Sequence, residues 1–368
     1  MKVSICVPAY ENADGIKRLL DSIRIQKYTD YEVIITDDSK TDEVGELAKS
    51  YQDKADDFGN KITYCKNENR LGAGNNWNHS IDLSKGDYIK IMHHDDWFPD
   101  ENALGAFVKM LDENPKAVLA FSGTHQVTLE TNESFARCIS DADLNELNND
   151  YRYLYLEQVI GAPSATIYRK TDLRFAPELS WLIDAEFYMK VFRQAAIDNN
   201  GYSPELFAYS LEPLISIGVS ADQLTERVRD DVKVNQFEYD FVMKEFGLDS
   251  EERFRARMKE VNLRASWKYI FVAPARTIKE KLVNNDVKYI GKMCLYLGLL
   301  IGLLSLGLIL SPYAGLIQYI LLGIALVLFV IKLLCTKCLF KDMDIKRVLK
   351  FVVLGIVIGV VVFLIVTL

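Results

Sequence analysis

A chain of 368 residues with a formal net charge of −8 is long enough for two domains, and its acidity argues against a nucleic-acid grip over the whole surface. Its six cysteines are scattered, which fits a reducing compartment better than a disulfide framework. Charged residues are dense from Met1 to about Val287, whereas Met293 to Ile331 contains no Asp, Glu, Lys or Arg, so a purely soluble chain is excluded as the expectation.

Met1-Lys2-Val3-Ser4-Ile5-Cys6-Val7-Pro8 runs directly into a β-like stretch. No secretory leader is read there, and the amino-terminal part is expected to stay inside the cell. Strands are predicted over Val3 to Val7, Glu32 to Thr36, Ile62 to Lys66, Tyr88 to Met92 and Ala117 to Ser122. Between them, apolar residues recur at helical spacing: Ile16, Leu19, Leu20 and Ile23, then Val44, Leu47, Ala48 and Tyr51, then Leu104, Phe107, Val108 and Leu111. This βαβ alternation predicts an α/β domain with a mostly parallel sheet covered by helices on both faces. Glu130 to Asp150, rich in Asn and Asp and poor in apolar residues, reads as a flexible excursion. A strand-like piece at Ala165 to Arg169, a helix from about Ile183 to Ala196 and an apolar run from Leu211 to Val219 complete the globular part, and charged helices follow from Asp222 to about Tyr269.

The rest of the chain reads as membrane-bound. A helix over Met293 to Ile331 would be roughly 58 Å long, too long for a hydrocarbon core of about 30 Å. Ser311-Pro312-Tyr313-Ala314-Gly315 turns it back, giving spans near 289–310 and 316–334, with a third over 351–368. Lys332, Lys337, Lys341, Lys346, Arg347 and Lys350 fall between the second and third spans, which places that loop and the amino-terminal region on the cytoplasmic side of a multi-pass cell-membrane protein. Lys268, Arg276, Lys279, Lys281 and Lys288, set among Trp267, Tyr269, Ile270, Phe271 and Val272, suggest a segment lying on anionic membrane lipids, although a solvated helix reads almost as well. The expected organisation is thus 1–220 catalytic, 221–288 a helical connector and 289–368 membrane. Cys335 and Cys338 form a lone CxxC with no second pair, more in keeping with an incidental or lipid-modified pair than with zinc.

Three acidic elements stand at strand ends or helix starts: Asp37-Asp38, Asp95-Asp96, and Asp184 with Glu186. In open α/β sheets, ligands bind at the carboxyl ends of the strands. Adjacent carboxylates such as Asp95-Asp96 repel, and a divalent cation shared with substrate phosphates relieves that repulsion, while a solvated loop is the plainer alternative. Asp38 reads either as part of a helix cap or as an acceptor for a base or ribose.

The runs Val3-Ser-Ile-Cys-Val-Pro-Ala-Tyr-Glu-Asn12, Tyr31-Glu-Val-Ile-Ile-Thr-Asp-Asp-Ser39 and Gly86-Asp-Tyr-Ile-Lys-Ile-Met-His-His-Asp-Asp96 resemble, in order and spacing, the leading motifs of the family 2 glycosyltransferases. Over roughly residues 1–220, the resemblance implies a GT-A fold and an inverting sugar transfer from a nucleotide-diphosphate sugar, a UDP-sugar being favoured by family habit. It implies that Pro8, Tyr10 and Glu11 contact the nucleoside, that Asp38 accepts a hydrogen bond from the base, that Arg70 lies near the diphosphate, and that Asn78, which matches the family's recurrent asparagine on the next helix, belongs to the donor-binding set. Asp96 resembles the ligand of Mn²⁺ or Mg²⁺, with Asp95 placed to hold the ribose or orient Arg70, and Asp184 aligns with the catalytic base. His93 stands where many relatives carry another acid, and Ile217 where they often carry a histidine. The Gln-x-x-Arg-Trp motif of processive members is not matched, which implies addition of a single sugar. With the membrane segments, the expected acceptor is a membrane-associated, lipid-linked glycan of cell-surface polysaccharide synthesis. A sugar nucleotidyltransferase and a catalytically silent nucleotide-binding scaffold are the alternatives, disfavoured by the lack of a Gly-rich basic loop at Pro8 to Gly15 and by the intact Asp38, Asp96 and Asp184.

Overall fold

The computed structural model describes residues 1–54, 56–219 and 231–267. Residues 1–265 belong to one compact unit. No helix among the described residues is long and apolar enough to cross a membrane. The expected spans at 289–310, 316–334 and 351–368, and the basic segment from Lys268 to Lys288, lie outside the described residues.

The amino-terminal elements follow the predicted alternation: β1 (Val3–Ala9), α1 (Ala13–Arg24), β2 (Tyr31–Asp37), α2 (Glu43–Gln52), β3 (Ile62–Lys66), α3 (Ala73–Asp82) and β4 (Tyr88–Ile91). A two-residue strand β5 (Asp96–Trp97) precedes α4 (Ala103–Glu113). Then come β6 (Leu119–Thr128), β7 (Ser134–Arg137), α5 (Asp141–Asn149), β8 (Thr166–Arg169), α6 (Ile183–Asp198), β9 (Phe207–Val219), α7 (Val232–Phe246) and α8 (Glu252–Trp267).

The strands form one sheet in the order β3-β2-β1-β4-β8-β6-β9-β5, with β7 paired to β6. β1, β2, β3 and β4 are mutually parallel, as expected. Beyond β4 the expectation of a mostly parallel sheet fails. β8 runs antiparallel to both β4 and β6, and β5 antiparallel to β9, leaving β6 and β9 as the parallel pair of that half. The βαβ alternation ends at α4, and apolar periodicity carries no information on the direction of a strand inserted without a crossover helix.

The pleat sends alternate residues of β1 to opposite faces. Val3, Ile5, Val7 and Ala9 join a core with Leu19, Ile23, Phe107 and Leu111 from α1 and α4. Cys6, with Ile89 and Ile91 of β4, joins a second core with Phe187 and Phe192 of α6. Both cores are fully buried, so a single Ile→Ala at Ile5 or Ile89 is expected to cost about 2–5 kcal/mol. α7 and α8 contribute Tyr239, Val242, Met243, Phe254 and Val261 to the second core.

Glu130 to Asp150 is not the excursion expected from its polarity. It holds β7 and α5, and α5 is capped by Ser140, whose side chain accepts the Asp143 N–H. Its single fully buried apolar residue, Leu147, anchors it in the second core.

Candidate active site

The strand β4 ends at Ile91, and the chain then turns tightly: the Asp96 N–H donates to the His93 carbonyl at 3.1 Å, and the His93 N–H to Ser164 Oγ at 2.9 Å. This turn brings one ligand atom each of His93, Asp95 and Asp96 within 4.8 Å of one another. Asp96 is 2% exposed, with Oδ2 3.9 Å from His93 Nδ1. Burial, reinforced by the Asp95 charge, pushes the Asp96 carboxyl well above the carboxylate range, against the opposing pull of Ser164, Lys90 and the Gly218 N–H. Burial also pushes His93 down to about 4, which leaves the imidazole neutral near pH 7. Its Nε2 is buried without a hydrogen-bond partner.

A neutral imidazole with one ring nitrogen unpaired and the other 3.9 Å from Asp96, set beside two carboxylates, is a donor set that fits a divalent cation. Asp96 was expected as the ligand. His93 was the departure from the family pattern, and its ring both lies tilted against Trp77, with centroids 4.8 Å apart, and belongs to the donor group. Asp96 pairs with Ile217 across β5 and β9, so the position where relatives often place a histidine does adjoin the site.

At the carboxyl ends of β1 and β2 lie the residues expected to hold the nucleoside. Pro8 is buried opposite Thr36. Glu11 and Asn12 adopt positive φ of 54° and 56°, a strained backbone for residues other than glycine. The Glu11 carboxylate accepts the Lys40 N–H and the Thr41 hydroxyl, each at 2.8 Å, and its own N–H donates to Ser39 Oγ at 2.6 Å. Asp38 braces the loop ahead of α3 by accepting the Leu71 N–H at 2.8 Å, the Gly72 N–H at 2.9 Å and Asn67 Nδ2 at 3.1 Å. That loop carries Arg70, whose guanidinium is exposed and stacks 4.5 Å over the Tyr10 ring. Asn78 clamps the Phe175 backbone, donating to its carbonyl and accepting its N–H, both at 2.9 Å. The neighbouring Asn76, 3% exposed, joins β1 to β2 by donating to the Ala9 and Thr36 carbonyls.

Asp184 stands in the first turn of α6, where its Oδ1 accepts the Ala185 N–H at 2.8 Å. Burial raises its carboxyl to about 6, with the negative Glu238 adding to the rise and the Ala185 N–H and Gln158 side chain opposing it. A carboxylate near 6 suits a general base at neutral pH. Glu186, in the same turn, is bound instead to Lys190 at 2.8 Å.

Sequence reasoning missed three residues here. Glu238 of α7, 1% exposed, accepts the N–H groups of Ser180, Trp181 and Leu182 at 2.7, 2.8 and 2.8 Å, so it fixes the loop that presents Asp184. Ser164 holds the His93 turn. Lys90, fully buried in β4, donates to the Ser164 carbonyl, lies 4.4 Å from the Phe107 ring and is driven well below its usual value by burial. A charged residue inside the apolar run Tyr88 to Met92 was the available signal for Lys90. For Glu238, in a charged helix, there was none.

Residues 4–174 match the family profile described as "Glycosyl transferase family 2". That stretch, somewhat under half of the chain, is thus similar to a family 2 glycosyltransferase domain. The chain is similar to an uncharacterized glycosyltransferase of Haemophilus influenzae, 27% identical over 197 residues that span 52% of this chain and 62% of that one. An uncharacterized protein of Mycobacterium tuberculosis is 24% identical over 209 residues, 53% of this chain and 63% of that one. The chain thus spans less than two-thirds of the length of these curated relatives. A poly(ribitol-phosphate) beta-glucosyltransferase of Bacillus spizizenii is 34% identical over 106 residues, 28% of this chain and 16% of that one. In fold, the chain resembles the crystal structure of S. aureus TarS 1-349 in complex with UDP-GlcNAc, with a TM-score of 0.50 at 18% identity, covering 93% of this chain and 92% of that one. The fold is accordingly GT-A-like, a mixed sheet flanked by helices.

Proposed function

We propose that the protein is an inverting, metal-dependent glycosyltransferase that moves one sugar from a nucleotide-diphosphate sugar to a membrane-associated, lipid-linked glycan at the cytoplasmic face of the cell membrane. The observation that carries the reading is the segment 161–164, which touches both halves of the chemistry. Ser164 holds the turn of His93, Asp95 and Asp96, and Gly161 accepts the Tyr188 hydroxyl of α6, the helix whose first turn carries Asp184, at 3.2 Å. A metal-binding turn and a carboxyl poised near 6 are what displacement of a nucleoside diphosphate from a sugar carbon requires.

In this reading, His93, Asp95 and Asp96 would hold Mn²⁺ or Mg²⁺, which supplies charge stabilisation for the departing diphosphate. Tyr10, Glu11 and Asp38 border the nucleoside, and Arg70, stacked on Tyr10, faces the diphosphate. Asp184 accepts the proton of the attacking acceptor hydroxyl as the new glycosidic bond forms, and the bond from the anomeric carbon to the diphosphate oxygen breaks. A uridine donor is supported by the UDP-GlcNAc held by the fold relative. The membrane acceptor is supported by the uncharged stretch from Met293 to Ile331, which a soluble acceptor would not require.

The test is a thermal-shift panel of uridine, guanosine and thymidine diphosphate sugars on the detergent-solubilised full chain, with and without Mn²⁺, beside Asp96→Asn. A ligand at a hundred times its dissociation constant stabilises the fold by about 2.7 kcal/mol. One nucleotide class should stabilise only with metal, and the variant should lose that shift. Binding that ignores both metal and Asp96, or no binding at all, would overturn the reading.

A further inference from the structure

One face of α1, continued by Gln26 just past its end, packs on the backbone of the metal-binding turn and of the residues that follow it up to Asp100. Gly15 lies so close that a Cβ there would meet the His94 carbonyl at 2.4 Å. Arg18 donates to the Asp95 carbonyl at 3.2 Å, and its guanidinium lies 4.2 Å over the Trp97 ring. Ser22 Oγ accepts the Phe98 N–H at 3.2 Å, and Gln26 Nε2 donates to the Asp100 carbonyl at 2.6 Å. These residues recur at helical spacing, so they follow one ridge of the helix. On the other side, the Gly218 N–H of β9 donates to the same Asp95 carbonyl at 3.2 Å, and a Cβ on Gly218 would meet that oxygen at 2.6 Å.

We propose that Arg18 is a positioning residue for the metal site, gripping the residues before and after Asp96 and, with Gly218, fixing the direction of its carboxylate. The inference rests on the reading of His93, Asp95 and Asp96 as the metal-binding group. Only arginine can do both tasks at once: its planar guanidinium stacks on the indole while its terminal nitrogen reaches the carbonyl. The grip is on backbone oxygen and ring, not on the ligand carboxylates, so it acts on geometry. Lysine at this position keeps the charge and loses the fork.

The experiment is a titration of the full-length protein with Mn²⁺ in the presence of UDP, followed by the loss of the free-ion paramagnetic resonance signal, for wild type, Arg18→Lys, Gly218→Ala and Asp96→Asn. Groups that orient metal ligands typically alter metal affinity by about 10–100-fold when substituted. Arg18→Lys is expected to raise the half-saturating Mn²⁺ concentration by that factor while UDP binding measured without metal is unchanged. Gly218→Ala should do the same by displacing the Asp95 carbonyl from the opposite side, which keeps the test valid if Arg18→Lys does not fold. If both variants melt earlier yet bind Mn²⁺ like wild type, the grip is structural only and the proposal falls. If wild type with UDP binds no more Mn²⁺ than Asp96→Asn, the metal site itself is wrong and the proposal falls with it.

Discussion

Glu238 and Leu182 are joined by a buried hydrogen bond of 2.8 Å, carboxylate to backbone N–H, two residues before Asp184. The same carboxylate satisfies Ser180 and Trp181, so one side chain of α7 closes off the start of α6. Glu238→Gln replaces an acceptor oxygen with an amide donor and leaves a buried N–H unpaired, at a cost of about 1–3 kcal/mol. Because Glu238 is a negative neighbour that raises Asp184, its neutralisation should also move the acidic limb of kcat/KM to lower pH. Thermal melts and a pH profile of donor turnover check the two effects separately.

Asp184→Asn should reduce transfer, or slow donor hydrolysis, by about 10²–10⁴-fold while leaving donor binding intact. With the folded carboxyl at about 6, wild-type activity should fall as pH drops below that value. The linkage runs the same way. A carboxyl raised from about 3.9 binds a proton preferentially in the folded state, so its contribution to stability is lost as pH rises from about 4 to about 6. Asp184→Asn should flatten that part of the stability curve.

Asp96→Asn separates stability from binding. Burial and the Asp95 charge hold the Asp96 carboxyl high, so without metal the ionised form destabilises the fold at neutral pH. The asparagine variant should melt above the metal-free wild type, by about 2–4 °C for each kcal/mol recovered, and should show no further rise with Mn²⁺ and nucleotide. A variant that melts lower without metal would contradict the assignment of the carboxylate as strained.

Asp38→Ala would leave the Leu71 and Gly72 N–H groups without their acceptor. A loss of about 1–3 kcal/mol is expected. Because that loop carries Arg70 onto Tyr10, nucleotide affinity should fall as well, whereas Arg70→Ala should weaken nucleotide binding with little change in melting temperature. Calorimetric titration with UDP against thermal melts distinguishes the two.

The donor half of the domain was legible because its strands and helices alternate with unbroken apolar periodicity, and because paired acidic residues stand where those strands end, the side of an open α/β sheet on which ligands bind. Asp38, Asp95, Asp96 and Asp184 were found on that basis and on the family resemblance. The tasks of individual side chains were less legible. That Asn78 holds the Phe175 backbone, and that Ser164 holds the turn in which His93 comes near Asp96, depend on contacts distant in sequence. α5 escaped notice because a helix anchored by Leu147 shows little periodicity, and Glu238 because a buried carboxylate in a charged helix looks like any solvated one. The antiparallel half of the sheet could not be foreseen from pattern alone.

The pairing of β6 with β9 joins Leu119 to Phe207 and runs on to Thr128 and Val219, β5 with Asp96 pairs to that same β9, and the loop before Asp184 takes its buried carboxylate anchor from α7. A chain emerging from the ribosome therefore completes the parallel strands that lead to Asp38 long before it can complete the strand that Asp96 pairs with or the wall that carries Asp184. The loop that presents the base is the last part to set, since its anchor is made after every strand. Nascent protein is thus expected to gain nucleotide recognition before it gains the power to transfer, an order that keeps a half-made enzyme from consuming its donor.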